Sequence, residues 1–323
     1  MLNFCKVYFD YLKFEGSDRL DLINRLSTNE VNSLEKYKGT KTILTSDKGR
    51  IIDVITMFNF GDFVFASCSA GNSDKVLAHL EKYTIMDDFR ATNMAGTHET
   101  LLFIGDETGA YSKELFGTDA TSFTNNDFLV LSEENNDAIA SHNDDALGGF
   151  YFIYANEEKQ HWERKLFSPA LAGKYDLKEL TAGEQEVKRI ELGIPGFGKE
   201  LSELTNPLEC GLWDYVSFTK GCYIGQEVIA RLDTYDKISK HLVGIKSEEE
   251  ISVLATPGET KILLNDNQCG FVTSAAVSGK FGNIALGFVK TILLDYEKDY
   301  KIRTADKVID CRIVKLPFGQ NIE

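Results

Sequence analysis

The sequence predicts an α+β chain that closes with an all-β domain, and three observations carry that prediction. Strand-like runs come in series before a helix instead of alternating with helices, which favours antiparallel sheets over a doubly wound parallel one. From His241 onward the helical periodicity vanishes, and short β-like runs alternate with turns. The 323 residues, 43% apolar and 26% charged, suffice for two or three domains with a sizeable buried core.

The opening reads as strand, glycine turn and helix, with Ser17 as N-cap and Leu20, Ile23 and Leu26 on one helical face. Strands follow at 40–45, 51–58 and 63–69, separated by Asp47-Lys48-Gly49 and Asn59-Phe60-Gly61-Asp62, both good turn chemistry. Gly71-Asn72-Ser73 caps a helix running through Tyr83, with Val76, Leu77 and Leu80 inward. A strand at 100–104 precedes a short helix ending at Gly117. Residues 118–149, rich in Asn, Asp, Ser and Glu, are expected to be peripheral and irregular, with one strand at 128–131. Another strand spans 150–154. Thr181-Ala182-Gly183-Glu184 forms a capping box that opens a helix carrying Val187 and Ile190 and closing at Gly193. The last strands, at 242–246, 261–264, 270–276, 284–290 and 308–315, make a small barrel or sandwich with a boundary near 233–240.

The formal charge of −15 argues against a broad nucleic-acid-binding surface, which requires a basic face. No apolar run approaches the ~20 residues that a membrane helix needs. The first residues lack the charged-then-apolar layout of a signal peptide, and a cytoplasmic protein is expected. Six cysteines lie scattered without a Cys-x-x-Cys pair, which excludes a disulfide framework and a zinc or iron–sulfur cradle. The five histidines, His79, His98, His142, His161 and His241, show no metal-ligand spacing, so no metal site is expected. Gly193-Ile194-Pro195-Gly196-Phe197-Gly198 lacks the ending of a phosphate loop and reads as a turn.

The chemistry concentrates in one stretch, Lys220-Gly221-Cys222-Tyr223-Ile224-Gly225-Gln226-Glu227-Val228-Ile229-Ala230-Arg231. Helical spacing from Gly225 onward puts Cys222 just ahead of a helix N-terminus, beside Lys220 and near Arg231. Helix dipole and cationic neighbours both favour thiolate, giving a functional thiol; the competing reading is a compact buried cysteine. Between Lys220 and Lys246, five cations against three carboxylates make a basic island suited to an anionic ligand tail.

This stretch resembles the Lys-Gly-Cys-Tyr-x-Gly-Gln-Glu signature of the YgfZ branch of the folate-binding YgfZ/GcvT superfamily, which includes the glycine cleavage T-protein. The matching signature residues are Lys220, Gly221, Cys222, Tyr223, Gly225, Gln226 and Glu227. The likeness continues in order through Phe14-Glu15-Gly16-Ser17-Asp18-Arg19, Leu44-Thr45-Ser46-Asp47-Lys48-Gly49, Arg189-Ile190-Glu191-Leu192-Gly193, Glu200-Leu201, Pro207-Leu208-Glu209, Pro257-Gly258-Glu259 and Gly270-Phe271-Val272-Thr273-Ser274. It implies two related, interleaved α+β units over residues 1–236 and a C-terminal β-barrel over 241–323, arranged around a central channel that holds tetrahydrofolate or a derivative.

The resemblance also implies roles. Glu191 would pair with the pterin, as a carboxylate can accept two parallel hydrogen bonds from an amino-pyrimidine edge. Phe9 would lie against the folate in place of the usual tryptophan. Where T-proteins carry an aspartate, the alignment reaches the neighbourhood of Asn93, which counts against aminomethyl transfer. The implied function is a folate-binding accessory protein supporting iron–sulfur cluster assembly or repair and cluster-dependent tRNA modification, with cluster-assembly proteins or client enzymes as partners. The alternative is a tetrahydrofolate-dependent aminomethyltransferase or related one-carbon transferase. A cysteine hydrolase using Cys222 with His241 is a third class, whose elbow motifs are not matched here.

Overall fold

The first strand does not pair with the second. β1 (Leu2–Val7) lies between β7 (His98–Ile104) and β11 (Leu177–Glu179), whereas β2 (Phe9–Glu15) pairs with β5 (Val64–Ser69) and β6 (Arg90–Asn93). The chain therefore begins in one sheet, builds a second, and returns to finish the first. The computed structural model describes residues 2–124, 126–234, 237–251, 253, 259–304 and 307–319. These form two compact units: Met1–Ser46, Ile52–Thr181 and Tyr215–Ile224 make the first, and Asp47–Ile51, Ala182–Asp214 and Gly225–Glu323 the second.

In the first unit a five-stranded sheet of order β3-β4-β5-β2-β6 uses β3 (Gly39–Thr45) and β4 (Ile51–Asn59). The helices α1 (Arg19–Leu26) and α2 (Ser73–Tyr83) supply Leu22, Ile23, Leu26, Val76 and Leu80 to its core, against Leu12, Phe14, Ile55 and Met57. A six-stranded sheet of order β11-β1-β7-β10-β9-β8 adds β8 (Phe128–Glu133), β9 (Asn136–His142) and β10 (Phe150–Ala155). Its core joins Phe103, Phe150 and Phe152 to side chains of α3 (Thr108–Phe116), α4 (Lys159–Leu166) and α5 (Pro169–Lys174), with Trp162 fully buried. One aromatic cluster contains residues of both sheets: Tyr11, Phe58 and Phe65 pack with Phe128, Ile139 and Ile153.

In the second unit, α6 (Ala182–Leu192) and α7 (Gln226–Thr234) precede six strands. These are β12 (Lys240–Ser247), β13 (Lys261–Leu264), β14 (Asn267–Ser278), β15 (Gly282–Lys290), β16 (Asp299–Arg303) and β17 (Val308–Val314). They close into a barrel of order β12-β15-β14-β13-β16-β17, filled by Val243, Ile245, Ile262, Val272, Ile302 and Ile313. Closure satisfies every edge, so the sandwich alternative is excluded. α6 packs on this barrel through Ile190, against Ile284, Leu286 and Phe318.

The α+β order, the helix from Ala182 and the terminal barrel follow the sequence reading. Three local expectations do not. Ser17 is no N-cap: its backbone N–H and hydroxyl both bond the Asp88 carboxylate, and α1 starts only at Arg19. Gly16, at φ +100°, makes that approach possible, as a Cβ there would stand 2.0 Å from the Asp88 carbonyl. Residues 118–149 are not merely peripheral, because β8 and β9 form an antiparallel hairpin that completes the six-stranded sheet. Polar composition hid β9, whose buried positions are the small residues Ala138, Ala140 and Ser141 beside Ile139. β16 also went unread, with Tyr300 and Ile302 inward between charged neighbours. Pro257-Gly258 lies outside the described residues.

Candidate functional site

The signature straddles the two units, and its first five residues form a strap on the first. Ser217 N–H donates to the Thr28 carbonyl at 2.9 Å, and Thr28 Oγ1 donates to the Tyr215 carbonyl at 2.6 Å. Farther on, Ile224 N–H donates to the Arg25 carbonyl, and the Ile224 carbonyl accepts from Thr45 Oγ1 at 2.7 Å. Lys220 closes the middle. Its ammonium donates to the carbonyls of Asn24 at 2.8 Å, Ser27 at 3.0 Å and Asn29, all at or just past the end of α1. Those carbonyls have no intrahelical partner, and a cation there also meets the negative end of the helix dipole. Burial pushes the Lys220 pKa down, to about 8, while Glu30 pulls it upward. Tyr223 is buried beneath the same ammonium, 5.2 Å from ring centroid to Nζ, and burial pushes its phenol up to about 12.

The strap thus points Lys220 and Tyr223 inward and leaves Cys222 outside. Cys222 is exposed, whereas the other five cysteines are free and buried. Lys220 was expected to activate the thiol; the structure shows its three protons engaged on backbone carbonyls. Gly225 turns the chain at φ +82°, and α7 then carries Gln226, Glu227 and the exposed Arg231 in the second unit. His241 is the second residue of β12, in that unit too. The basic island is therefore divided, and Lys240 is committed to Glu209 at 2.9 Å.

Glu191 sits near the end of α6, half-buried, within the second unit. Its Oε1 accepts from Ser278 Oγ at 2.5 Å, and its backbone carbonyl accepts from Phe318 N–H at 2.8 Å. Two residues earlier Arg189 anchors the helix. Its guanidinium donates to Glu186, to Glu200 Oε2 at 2.9 Å, to the Ile194 carbonyl and to Ser274 Oγ. Glu200 has no exposed surface and also accepts from Gly196 N–H, Ser274 and Thr273. Glu209, equally enclosed, accepts from Asn206 N–H, Ser239 and Lys240. The two glutamates of the Glu200-Leu201 and Pro207-Leu208-Glu209 segments are structural hubs.

Phe9 is half-buried on β2 and meets Tyr151 edge-on, with centroids 5.8 Å apart. Behind it lies a polar cluster that the sequence did not announce. Lys41 pairs with Asp144, Asn126 donates to the same carboxylate at 2.6 Å, and Lys41 lies over the Tyr215 ring. Burial pushes Lys41 down, but Tyr215, Asp144 and Asp145 outweigh it and hold the ammonium above its ordinary value. The Tyr151 phenol is raised well above its ordinary value by burial, then by Asp145 and Asp144. The only sequence signal was acidic residues in a segment read as peripheral. Asn93 ends β6, exposed, and its amide donates to Asp74 Oδ1 at 3.1 Å. A carboxylate therefore stands beside Asn93, supplied by the first turn of α2. Among the described residues no cluster could hold a metal ion.

Three outcomes are expected. Brief iodoacetamide treatment of the native protein should label one thiol by mass spectrometry, and Cys222→Ser should abolish that label. Lys220→Met, which strands three carbonyls, should cost about 2–4 kcal/mol in urea unfolding, within the range for losing charge-assisted bonds. The third concerns Glu186. Burial opposes its charge, but hydrogen bonds from Arg189 and Lys199 outweigh that and lower its carboxyl from 4.5 to about 2. Its stabilisation is complete above pH 4.5 and fades as pH falls toward 2. Glu186→Gln should flatten that acid limb, removing up to about 2 kcal/mol given partial solvent screening.

Comparison with known proteins follows the same lines. Residues 7–220 match the model of the GCVT N-terminal domain, and residues 240–319 that of the glycine cleavage T-protein C-terminal barrel domain. A chloroplastic protein of Arabidopsis thaliana, named as a transferase, is 27% identical over 302 residues, covering 88% of this chain. This chain spans 64% of that relative's length. An aminomethyltransferase of Flavobacterium psychrophilum is 23% identical over 314 residues, 94% of this chain and 84% of its own. The crystal structure of the glycine cleavage system aminomethyltransferase T from Bartonella henselae superposes with a TM-score of 0.81 at 16% identity, covering 98% of this chain and 86% of that one. At that identity the likeness concerns the fold.

Proposed function

The chain belongs to the family of the glycine cleavage T-protein, and from that premise we propose that it binds a reduced folate and transfers a one-carbon unit to or from it, as an aminomethyltransferase-like enzyme. The sequence reading had put the iron–sulfur accessory role first. Relatives aligned over 94% of the chain are named aminomethyltransferase, and they support the transferase reading instead. The doubt raised by Asn93 also weakens, because Asp74 brings a carboxylate within 3.1 Å of its amide.

The observation that carries the folate reading is Glu191. Among the described residues no hydrogen bond reaches its Oε2, while Oε1 is tied to Ser278. Such a carboxylate is free to receive a donor pair from a pterin edge. Bound folate would supply the nitrogen that carries the one-carbon unit. The protein's part is to hold the ring edge at Glu191 in the second unit. A division at 236/241 into a folate-binding region and a barrel belongs to the same proposal.

A second reading, the folate-binding accessory of iron–sulfur cluster assembly and tRNA modification in the YgfZ branch, is favoured by one observation. Cys222 is displayed outward from a strap whose other side chains are anchored. Six free cysteines suit the reducing compartment that this reading expects.

Calorimetric titration with 5-formyltetrahydrofolate should show binding. Glu191→Ala should weaken it by about 1–3 kcal/mol, the cost of losing a charged hydrogen-bond partner. Unchanged affinity would remove Glu191 from the site. Incubation with an aminomethylated lipoyl carrier and tetrahydrofolate should give catalytic turnover. Folate binding without turnover, with cluster-enzyme activity in a deletion strain that depends on Cys222, would instead select the accessory reading.

A further inference from the structure

Ser278 is an unusually constrained hydroxyl. It ends β14, is 3% exposed, and stands opposite Gly282 in the β14–β15 hairpin. Its Oγ accepts from the backbone N–H of Lys280 at 3.0 Å and of Phe281 at 2.9 Å. A hydroxyl oxygen has two lone pairs and one proton. With both lone pairs occupied by N–H donors, the proton has one direction left, and it lies on Glu191 Oε1 at 2.5 Å. The turn therefore fixes which atom Ser278 can donate to before any ligand arrives.

The backbone of Glu191 is held as well. Phe318 N–H caps its carbonyl, and the Phe318 ring packs 5.9 Å from Phe281 of the same hairpin. Main chain and carboxylate are thus both positioned from the hairpin and the tail that follows β17. A hydrogen bond to a carboxylate restricts its rotation. The second oxygen, Oε2, accepts no hydrogen bond among the described residues.

We infer that Ser278 is the positioning residue for Glu191: it locks the carboxylate in the orientation that lets both oxygens meet a heterocycle edge bearing two adjacent donors. This rests on the folate reading and deepens it, because it names what sets selectivity for a 2-amino-pyrimidinone edge over a ring with one donor. A bare glutamate on a helix end could reorient to satisfy a single donor equally well. A locked one cannot, and it discriminates against the ligand that leaves an oxygen unpaired.

The test titrates 5-formyltetrahydrofolate and its 2-desamino analogue into the full-length protein and its Ser278→Ala, Ser278→Thr and Glu191→Ala variants, with thermal midpoints measured alongside. Ser278→Ala should bind the folate about 5- to 20-fold more weakly, the loss expected for one charge-assisted hydrogen bond, while staying folded at the titration temperature. Its preference for the amino over the desamino compound should shrink about tenfold. Ser278→Thr, which keeps the hydroxyl, should retain both affinity and preference. Wild-type affinity and preference in Ser278→Ala, with binding lost in Glu191→Ala, would overturn the inference and leave the folate reading standing. Loss in Ser278→Ala that tracks a fallen midpoint and is not rescued by threonine would likewise overturn it, as mere packing. A wild-type protein that binds neither compound would sink the folate reading and the inference with it.

Discussion

A carboxylate with no exposed surface, Glu200, ties α6 to the barrel, and the candidate ligand residue depends on that tie. Burying a charge is costly unless it is paired and fully hydrogen-bonded. Here Arg189 supplies the pairing, while Gly196, Thr273 and Ser274 supply the remaining donors. The partners come from α6, from the turn after it and from β14, so one side chain holds three elements together. Residues 194–212 contain no helix or long strand, and their conformation is set by such bonds more than by a backbone ladder. Glu209 repeats the device, bonding Asn206, Ser239, Lys240 and Arg50 around another irregular stretch. Glu191 is two residues from Arg189. Its placement is a consequence of the ion pair.

The strap of the first unit applies the same rule with the opposite charge. Lys220 is the half-buried ion, and helix-end carbonyls are its partners. A lysine suits this place because its three donors radiate from one point and match carbonyls that come from different directions. Arginine's planar fork would not. Tyr223 packs inward, and Gly225 at φ +82° then turns the chain. Cys222 is therefore presented by the residues around it, and its exposure follows from their burial.

How much of this was legible in the sequence depends on the range of the interaction concerned. α2, α6 and five of the six barrel strands were readable because each carries its own local hydrophobic pattern, as Val76 and Leu80 or Ile262 and Leu263 show. The home of β1 was not readable, since its partners β7 and β11 lie about a hundred residues or more away and nothing local selects them. β9 was hidden for another reason: small residues can fill a tightly packed sheet position without raising the local hydropathy. At the site, Glu191 and Cys222 were found through their motif contexts. Ser278, Lys41 and Asp144 were not, because each gains its meaning only from a partner brought near by tertiary folding. The capping role of Ser17 failed because a carboxylate from residue 88 competes for the same donors.

Asn93 shows the limit of reading chemistry from register. An amide where the resemblance implies an acid counts as a lost function only if acids must come from that strand. Residue identity is fixed along the chain, but proton acceptance is a property of a place in space. Asp74 lies 19 residues earlier, on the first turn of α2, and still reaches the amide of Asn93. The side-chain carbonyl of Asn93 accepts from Ala95 N–H at 2.8 Å and shapes the turn after β6. Asp74 and Asn93 therefore form a hydrogen-bonded pair, in which the Asp74 carboxylate is the acceptor. For a one-carbon transferase the decisive quantity is whether a charged oxygen faces the reacting nitrogen. The position of its gene codon does not enter.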